Sequence, residues 1–225
     1  VEEKMNVDKS TVRLLGVAFL IQAVASLIAS LILLEPLIES GSIIDTMTNV
    51  SNNVLRMRAS IVFHMITAMG VVMLGALLFL TLKEQNRKIA QIALGLYIIE
   101  AAILAASRIP AFSLMRVSQE SVMAGHPDYL QSLGNLFLES AEFGDWLHML
   151  AFALGATFFY YLFLKSRYIP RFLPIWGLVA APLALIGTLV VLFGYDVPIF
   201  VFIPNLPFEL TMGVWMIVWG IKDRS

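Results

Sequence analysis

Long apolar runs alternate with polar breaks along the chain, and six of the runs have the length of a bilayer crossing. They cover residues 14–34, 59–82, 89–109, 145–164, 172–195 and 205–221. A helix rises 1.5 Å per residue, so about 20 apolar residues cross a hydrocarbon core of about 30 Å. Strands are excluded there, because hydrocarbon offers no partner to an open strand edge. The pattern predicts an all-α integral membrane protein, a six-transmembrane-helix bundle forming a single domain over residues 1–225. The first run follows Lys4, Lys9 and Arg13 as a signal peptide's apolar region would. It is too long for that region and has no convincing small-residue cleavage site, so it reads as a retained helix.

The breaks at 83–88 and 165–171 are short, whereas those at 35–58 and 110–143 are long and carry patterns of their own. Ile43, Met47, Val50 and Val54 recur at helical spacing, and Ser42 with Asp45 forms a capped start. Between His126 and Ala141, Pro127 opens a helix with Leu130, Leu133, Phe137 and Ala141 on one side. Both segments are expected as amphipathic helices at the outer membrane interface, each running into the next span. The Asn49-Val50-Ser51 triplet is a glycosylation acceptor only in a secretory setting and carries little weight.

Composition agrees with the pattern: 59% of residues are hydrophobic, 14% are charged, and mean hydropathy is +0.84. Soluble domains carry about 25% charged residues. A net charge of -1 gives no basis for nucleic-acid binding. The absence of Cys removes disulfides, thiolate nucleophiles and thiolate ligands. With the N-terminus inside, the inner face carries Lys4, Lys9, Arg13, Lys83, Arg87, Lys88, Lys165, Arg167, Arg171, Lys222 and Arg224. The outer face carries Arg56, Arg58, Arg108 and Arg116. Eleven of the 15 basic residues therefore lie inside, which predicts a cell-membrane protein with N- and C-termini cytoplasmic.

Polar residues inside the runs carry the candidate chemistry. Span two presents Arg56, Ser60, His64 and Thr67 on one face. Span three presents Tyr97, Glu100 and Ser107, with Arg108 beside them. Span four begins with Glu142, Asp145 and His148, span six with Asn205, Glu209 and Gly213, and span one adds Gln22, Ser26 and Ser30. Spans two, four and six enter from outside, which sets His64, His148 and Glu209 one to two turns below that entry. The expected site is an outward-facing polar pocket of His64, Glu100, Arg108, Asp145, His148 and Glu209. Glu100, near mid-membrane, must be neutral, paired with Arg108, or in contact with water.

Three chemistries fit such a pocket. His64, His148 and Glu209 suit a divalent metal such as zinc with a position left for water. Two histidines at one depth suit haem less well. A His, Glu and Arg group also relays protons or holds an anion. Plainer roles compete: helix-start stabilisation for Glu209 and Asp145, headgroup contact for Arg56 and Arg108, and helix-to-helix hydrogen bonds for the histidines. The chain has no HExxH run, Gly-rich phosphate loop or Ser-His-Asp order, so no catalytic residue is named. Phe158-Phe159-Tyr160-Tyr161 reads as lipid-facing or packing surface. Gly155, Gly177, Ala180 and Ala181 read as close-packing positions, and Pro182 as a kink in span five.

Several stretches together point to a family. They are Arg58 to His64, then His148, then Ser166 with Ile169-Pro170-Arg171, Leu173 and Gly177, and last Pro207, Glu209, Trp215 and Trp219-Gly220. Their order resembles the bacterial membrane family known as domain of unknown function 4386 (DUF4386). The resemblance implies a six-helix bacterial membrane protein and supplies no reaction. Position 64, aligned this way, is often Asp in the family. His64 departs from that, which favours a carboxylate-or-imidazole site over a haem-binding histidine pair.

The leading expectation is binding of a small molecule or metal in the outward-facing pocket, with hydrolytic or redox chemistry open to it. The alternatives are a small proton- or ion-coupled transporter subunit using Glu100 and Glu209, and a non-catalytic membrane regulator with a structural polar core. The topology is directly testable. Single cysteines at positions 51 and 85 should be labelled from opposite sides of intact cells, with position 51 outside; labelling from one side would break the six-span order.

Overall fold

A computed structural model describes residues 8–222. Lys4 and Arg224, both counted in the charge asymmetry, lie outside the described residues. Among those described there is no strand. The α-helices are α1 (Lys9–Leu27), α2 (Ile43–Asn52), α3 (Val54–Leu82), α4 (Arg87–Ala106), α5 (Arg108–Met123), α6 (Asp128–Ser166), α7 (Phe172–Leu192) and α8 (Asn205–Val218). Six helical stretches are long and apolar enough to cross a membrane: Lys9–Leu37, Val54–Leu82, Arg87–Met123, Asp128–Ser166, Phe172–Leu192 and Ile199–Val218. They are the six runs expected from sequence, with shifted ends.

These stretches close into a ring. α1 packs on α3, α3 on α4, α4 on α6, α6 on α7, α7 on α8, and α8 back on α1. Phe19, Leu74, Leu78, Phe159, Phe163 and Phe208 fill the interior, all with negligible exposure. Leu31, Val62, Met69, Ile92, Val179 and Ile186 point outward and are exposed. An apolar exterior around an apolar interior is the surface expected of a helical membrane bundle. The loops at 83–86 and 167–171 lie at one end, called here the basic end. Asn86 caps α4 there, its side-chain oxygen accepting the Ile89 N–H at 3.2 Å. The Lys222 N–H bonds the Tyr168 carbonyl at 2.8 Å and ties the chain's far end to the α6–α7 turn.

The other end carries a cap larger than expected. α2 forms as predicted, and Ser42 Oγ accepts the Asp45 N–H at 3.2 Å. The second segment does not stop: α6 runs unbroken for 39 residues from Asp128. A third segment, α5, was not expected. Pro110 had marked the end of span three, yet it falls in the first turn of a new helix, where its missing N–H has no intrahelical partner to lose. Leu37, Val50, Met57, Ala111, Met115 and Ala141 form one apolar cluster that binds α2, α5 and the start of α6 over the ends of α1 and α3.

Two further departures shape the interior. After Leu27, α1 widens into a π-helical turn over Ile28–Leu34. α8 is short, because the largely exposed segment 193–204 runs down beside α7 and turns inward only at Phe202 and Asn205. Phe202 from that segment packs on Trp146 at 5.3 Å, and Asn205 Nδ2 donates to the Ala180 carbonyl at 3.3 Å. Ala180 stands about 12 Å above the basic-end start of α7, so α8 begins inside the bundle.

Glycines seat the large interior side chains. A Cβ on Gly155 would stand 2.7 Å from Tyr97 Cδ2, and one on Gly177 would stand 2.6 Å from Tyr160 Cδ2. Where α1 meets α8, a Cβ on Gly16 would stand 2.6 Å from the Gly213 carbonyl oxygen. Gly95, on α4, faces open space. Gly155→Ala should therefore cost about 1–3 kcal/mol by overpacking, while Gly95→Ala should gain up to about 1 kcal/mol of helix propensity. Thermal unfolding in detergent measures both; equal effects would contradict the seating.

Candidate functional site: two buried polar layers

The polar residues form two layers. His64 and His148 each stand about 27 Å above the basic-end terminus of their helices, at 1.5 Å per residue. In α3, His64 Nδ1 lies 2.8 Å from the Ser60 carbonyl oxygen. A carbonyl only accepts, so Nδ1 carries the proton and, in the neutral ring, Nε2 is an acceptor. Ser30 Oγ lies 3.4 Å from that Nε2. Ser60 Oγ donates to the Ala29 carbonyl at 2.9 Å, within the π-helical turn. Such turns displace carbonyls from the regular ladder, and Ser60 satisfies one of them. Arg56 does the same further out: its Nε donates to the Leu33 carbonyl at 3.1 Å, and its Nη2 donates to the Ile32 carbonyl.

Arg108 completes this upper layer. It is 3% exposed and forms an ion pair with Asp145, which is 34% exposed. Its Nε and Nη2 also donate to Ser107 Oγ at 3.2 and 2.9 Å. The close approach is possible because a Cβ on Gly144 would stand 2.4 Å from Ser107 Cβ; glycine leaves that space open. Arg108 is near enough to act electrostatically on both imidazoles, as is His64 on His148. His148 Nδ1 is buried without a hydrogen-bond partner.

The lower layer lies about 20 Å above the basic end, at the level of Gln22 and Glu100. Gln22 Nε2 donates to Glu209 Oε2 at 2.8 Å, joining α1 to α8. Glu100 is 5% exposed, and its Oε2 has no hydrogen-bond partner. Tyr97 from α4 and Tyr160 from α6 are fully buried. Their hydroxyls face each other outside hydrogen-bond geometry, and both interact with Glu100 and Glu209.

The six expected pocket residues are thus divided. His64, Arg108, Asp145 and His148 share the upper layer; Glu100 and Glu209 share the lower. Glu209 lies deeper than expected because α8 starts inside the bundle. Arg108 turns to Asp145 rather than Glu100, which lies about 12 Å below it along the chain axis. Four of the six are buried, with His64 at 4%, Glu100 at 5%, Arg108 at 3% and Glu209 at 9% exposure. Two surface pockets lie elsewhere. One of about 540 Å³ lies against Leu33, Asn53 and Arg56; one of about 210 Å³ lies against Lys9, Arg13 and Trp219.

The metal site expected from His64, His148 and Glu209 is not assembled. Among the described residues no group of three or more His, Cys, Asp or Glu is placed to hold a metal ion. Depth is the reason. α8 begins inside the bundle, so Glu209 sits with Gln22 in the lower layer while His64 and His148 sit in the upper. Zinc needs ligands at about 2.0–2.2 Å. His64 Nε2, the nitrogen left free to act as a ligand, faces Ser30 in the π-helical turn after α1.

The chain matches the family profile described as Domain of unknown function (DUF4386) over residues 14–220. The chain belongs to the DUF4386 family. No curated protein and no solved structure matches it. In this DUF4386 chain, His64, His148 and Glu209 of the resemblance residues fall in the polar layers, Arg58 falls near the cap end of α3, and Ile169-Pro170-Arg171, Leu173, Trp215 and Trp219 fall at the basic end. At the basic end Ile169 is buried and Trp215 stacks on Trp219 at 4.6 Å. Tyr160 was missed as a polar-layer residue, because an aromatic run gives no sign of which ring points inward. The glycines at 155 and 177 were the available signal.

The Arg108–Asp145 pair gives a direct test. Removing one partner of a buried pair costs about 3–5 kcal/mol, and the partial exposure of Asp145 reduces that to about 2–3 kcal/mol. Asp145→Ala should lower stability by that amount. The double variant Arg108→Met with Asp145→Leu should recover most of it, since no buried charge is left unpaired. A double variant as unstable as the single would show that the pair is not the source of the loss.

Proposed function

We propose that this DUF4386 protein is a multi-pass protein of the cell membrane with both ends cytoplasmic, and that its upper layer binds a small anionic ligand from outside. The orientation rests on the basic end, which gathers Lys83, Arg87, Lys88, Lys165, Arg167, Arg171 and Lys222. The cap of α2, α5 and the start of α6 then lies at the outer interface. One observation carries the ligand reading: His148 Nδ1 is buried and unpartnered beside the Arg108 guanidinium. A guanidinium and an imidazole N–H together suit a carboxylate or phosphate-type oxyanion, through charge-assisted hydrogen bonds. Asp145, the partly exposed partner of Arg108, is the carboxylate such a ligand would displace.

The anion reading is tested by thermal unfolding of the purified protein in choline acetate or choline phosphate, against choline chloride at equal ionic strength. At a hundredfold excess over Kd, a bound ligand stabilises by about 2.7 kcal/mol. Acetate or phosphate should raise the unfolding midpoint of the native protein, and His148→Ala should abolish the rise. No rise with either anion defeats the reading.

A second reading is favoured by one contact, the 3.4 Å approach of Ser30 Oγ to His64 Nε2 with Nδ1 held by the Ser60 carbonyl. A hydroxyl beside an oriented imidazole is the arrangement of a hydrolase nucleophile and its base. Ser30 would attack an acyl carbon, its proton passing to His64 Nε2 and on to the leaving group, and water would then release the acyl group. A fluorophosphonate probe should label Ser30, and Ser30→Ala and His64→Ala should each remove the label. An unlabelled native protein excludes this chemistry.

A further inference from the structure

The lower layer holds two carboxylates in the middle of an apolar bundle, and among the described residues no cationic side chain stands beside them. α1 contributes Gln22, which is uncharged and donates to Glu209. α3 contributes Thr67, whose hydroxyl is spent on the Phe63 carbonyl, and His64 stands about 7 Å above this layer. α4 and α6 contribute Tyr97 and Tyr160. α7 has no ionisable residue over Phe172–Leu192. Arg108, the nearest guanidinium, is held in the upper layer by Asp145 and Ser107. Two bare carboxylates here would repel each other and face a cost of several kcal/mol for their charge.

Three oxygens without partners point into this space: Glu100 Oε2 and the hydroxyls of Tyr97 and Tyr160. Their residues are 5%, 1% and 0% exposed. Glu209 adds carboxylate oxygen from a third helix, since α8 begins inside the bundle. Oxygen donors from α4, α6 and α8 converge without a nitrogen or sulfur ligand among them. That donor set suits a hard cation rather than a soft transition metal, and four side chains fall short of the roughly 6–8 oxygens that calcium takes, which leaves a monovalent occupant.

We propose that Glu100, Glu209, Tyr97 and Tyr160 form a mid-bundle site for a small monovalent cation, a proton or sodium. The cation offsets carboxylate charge, and the hydroxyls complete its oxygen shell. This site is separate from the upper-layer anion reading and does not depend on it. It makes the lower layer responsive to the ion supply that reaches it through the bundle.

The test uses the full-length purified protein in detergent. Unfolding midpoints are compared in sodium, potassium and choline chloride at fixed pH and ionic strength. Infrared spectra at neutral pH then look for the C=O stretch of a protonated carboxyl that shifts in D2O. A sodium-specific rise in midpoint that Glu100→Gln and Tyr97→Phe lose identifies sodium as the occupant. No sodium effect, but a protonated-carboxyl band that Glu100→Gln or Glu209→Gln removes, identifies the proton. Tyr97→Phe keeps the ring on Phe159 and so guards against a glutamine variant that fails to fold. Absence of both the sodium effect and the band overturns the proposal, as does a full sodium effect in Tyr97→Phe together with Glu100→Gln.

Discussion

A polar group placed in hydrocarbon has only its own protein for a partner, and this constraint organises the whole bundle. Thr67, Thr81 and Thr157 turn their hydroxyls back to the carbonyl four residues before them. Arg56 and Ser60 take the carbonyls that the π-helical turn of α1 displaces. Gln22 and Glu209 satisfy each other across the α1–α8 contact, where Gly16 and Gly213 let the two backbones meet. Against this thrift, the few groups that stay unpartnered are informative. Tyr97, Glu100, His148 and Tyr160 among them lie on α4 and α6, and Gln119, Thr188 and Asn205 lie on α5, α7 and α8.

The ring also decides which chemistry is open. Helices joined by short loops are neighbours and run in opposite directions, so side chains at equal depth on parallel helices face one another across the bundle. Contact between them needs long reach or an intermediary. Aromatic rings supply that reach in the lower layer, where Tyr160 of α6 meets Phe208 of α8 at 4.7 Å. Short ligands such as histidine and glutamate on α3, α6 and α8 do not converge on one ion.

The sequence made much of the scaffold legible. Apolar length located the six long helices, and Ser42 with Asp45 marked the start of α2, because both signals are local. What stayed hidden was non-local or ambiguous. Pro110 is a stop signal in a helix interior and an acceptable first-turn residue, and only the fold distinguishes the two. The depth at which α8 begins depends on Asn205 reaching Ala180, a contact no periodicity contains. Arg108 had carboxylates to choose from on α4 and on α6; the turn at Ser107 and the gap at Gly144 gave it to Asp145. Burial of Glu100 followed from its cost in lipid, whereas its companionship with two tyrosines did not follow from spacing.

The unbroken course of α6 has a mechanical meaning. At 1.5 Å per residue its 39 residues extend about 58 Å, nearly twice the hydrocarbon thickness. It carries cap residues at one end, Asp145 and His148 below them, and Tyr160 deeper still. The cap, Asp145 and the Tyr160 hydroxyl about 20 Å away therefore sit on one continuous element, and the two polar layers share a single strut.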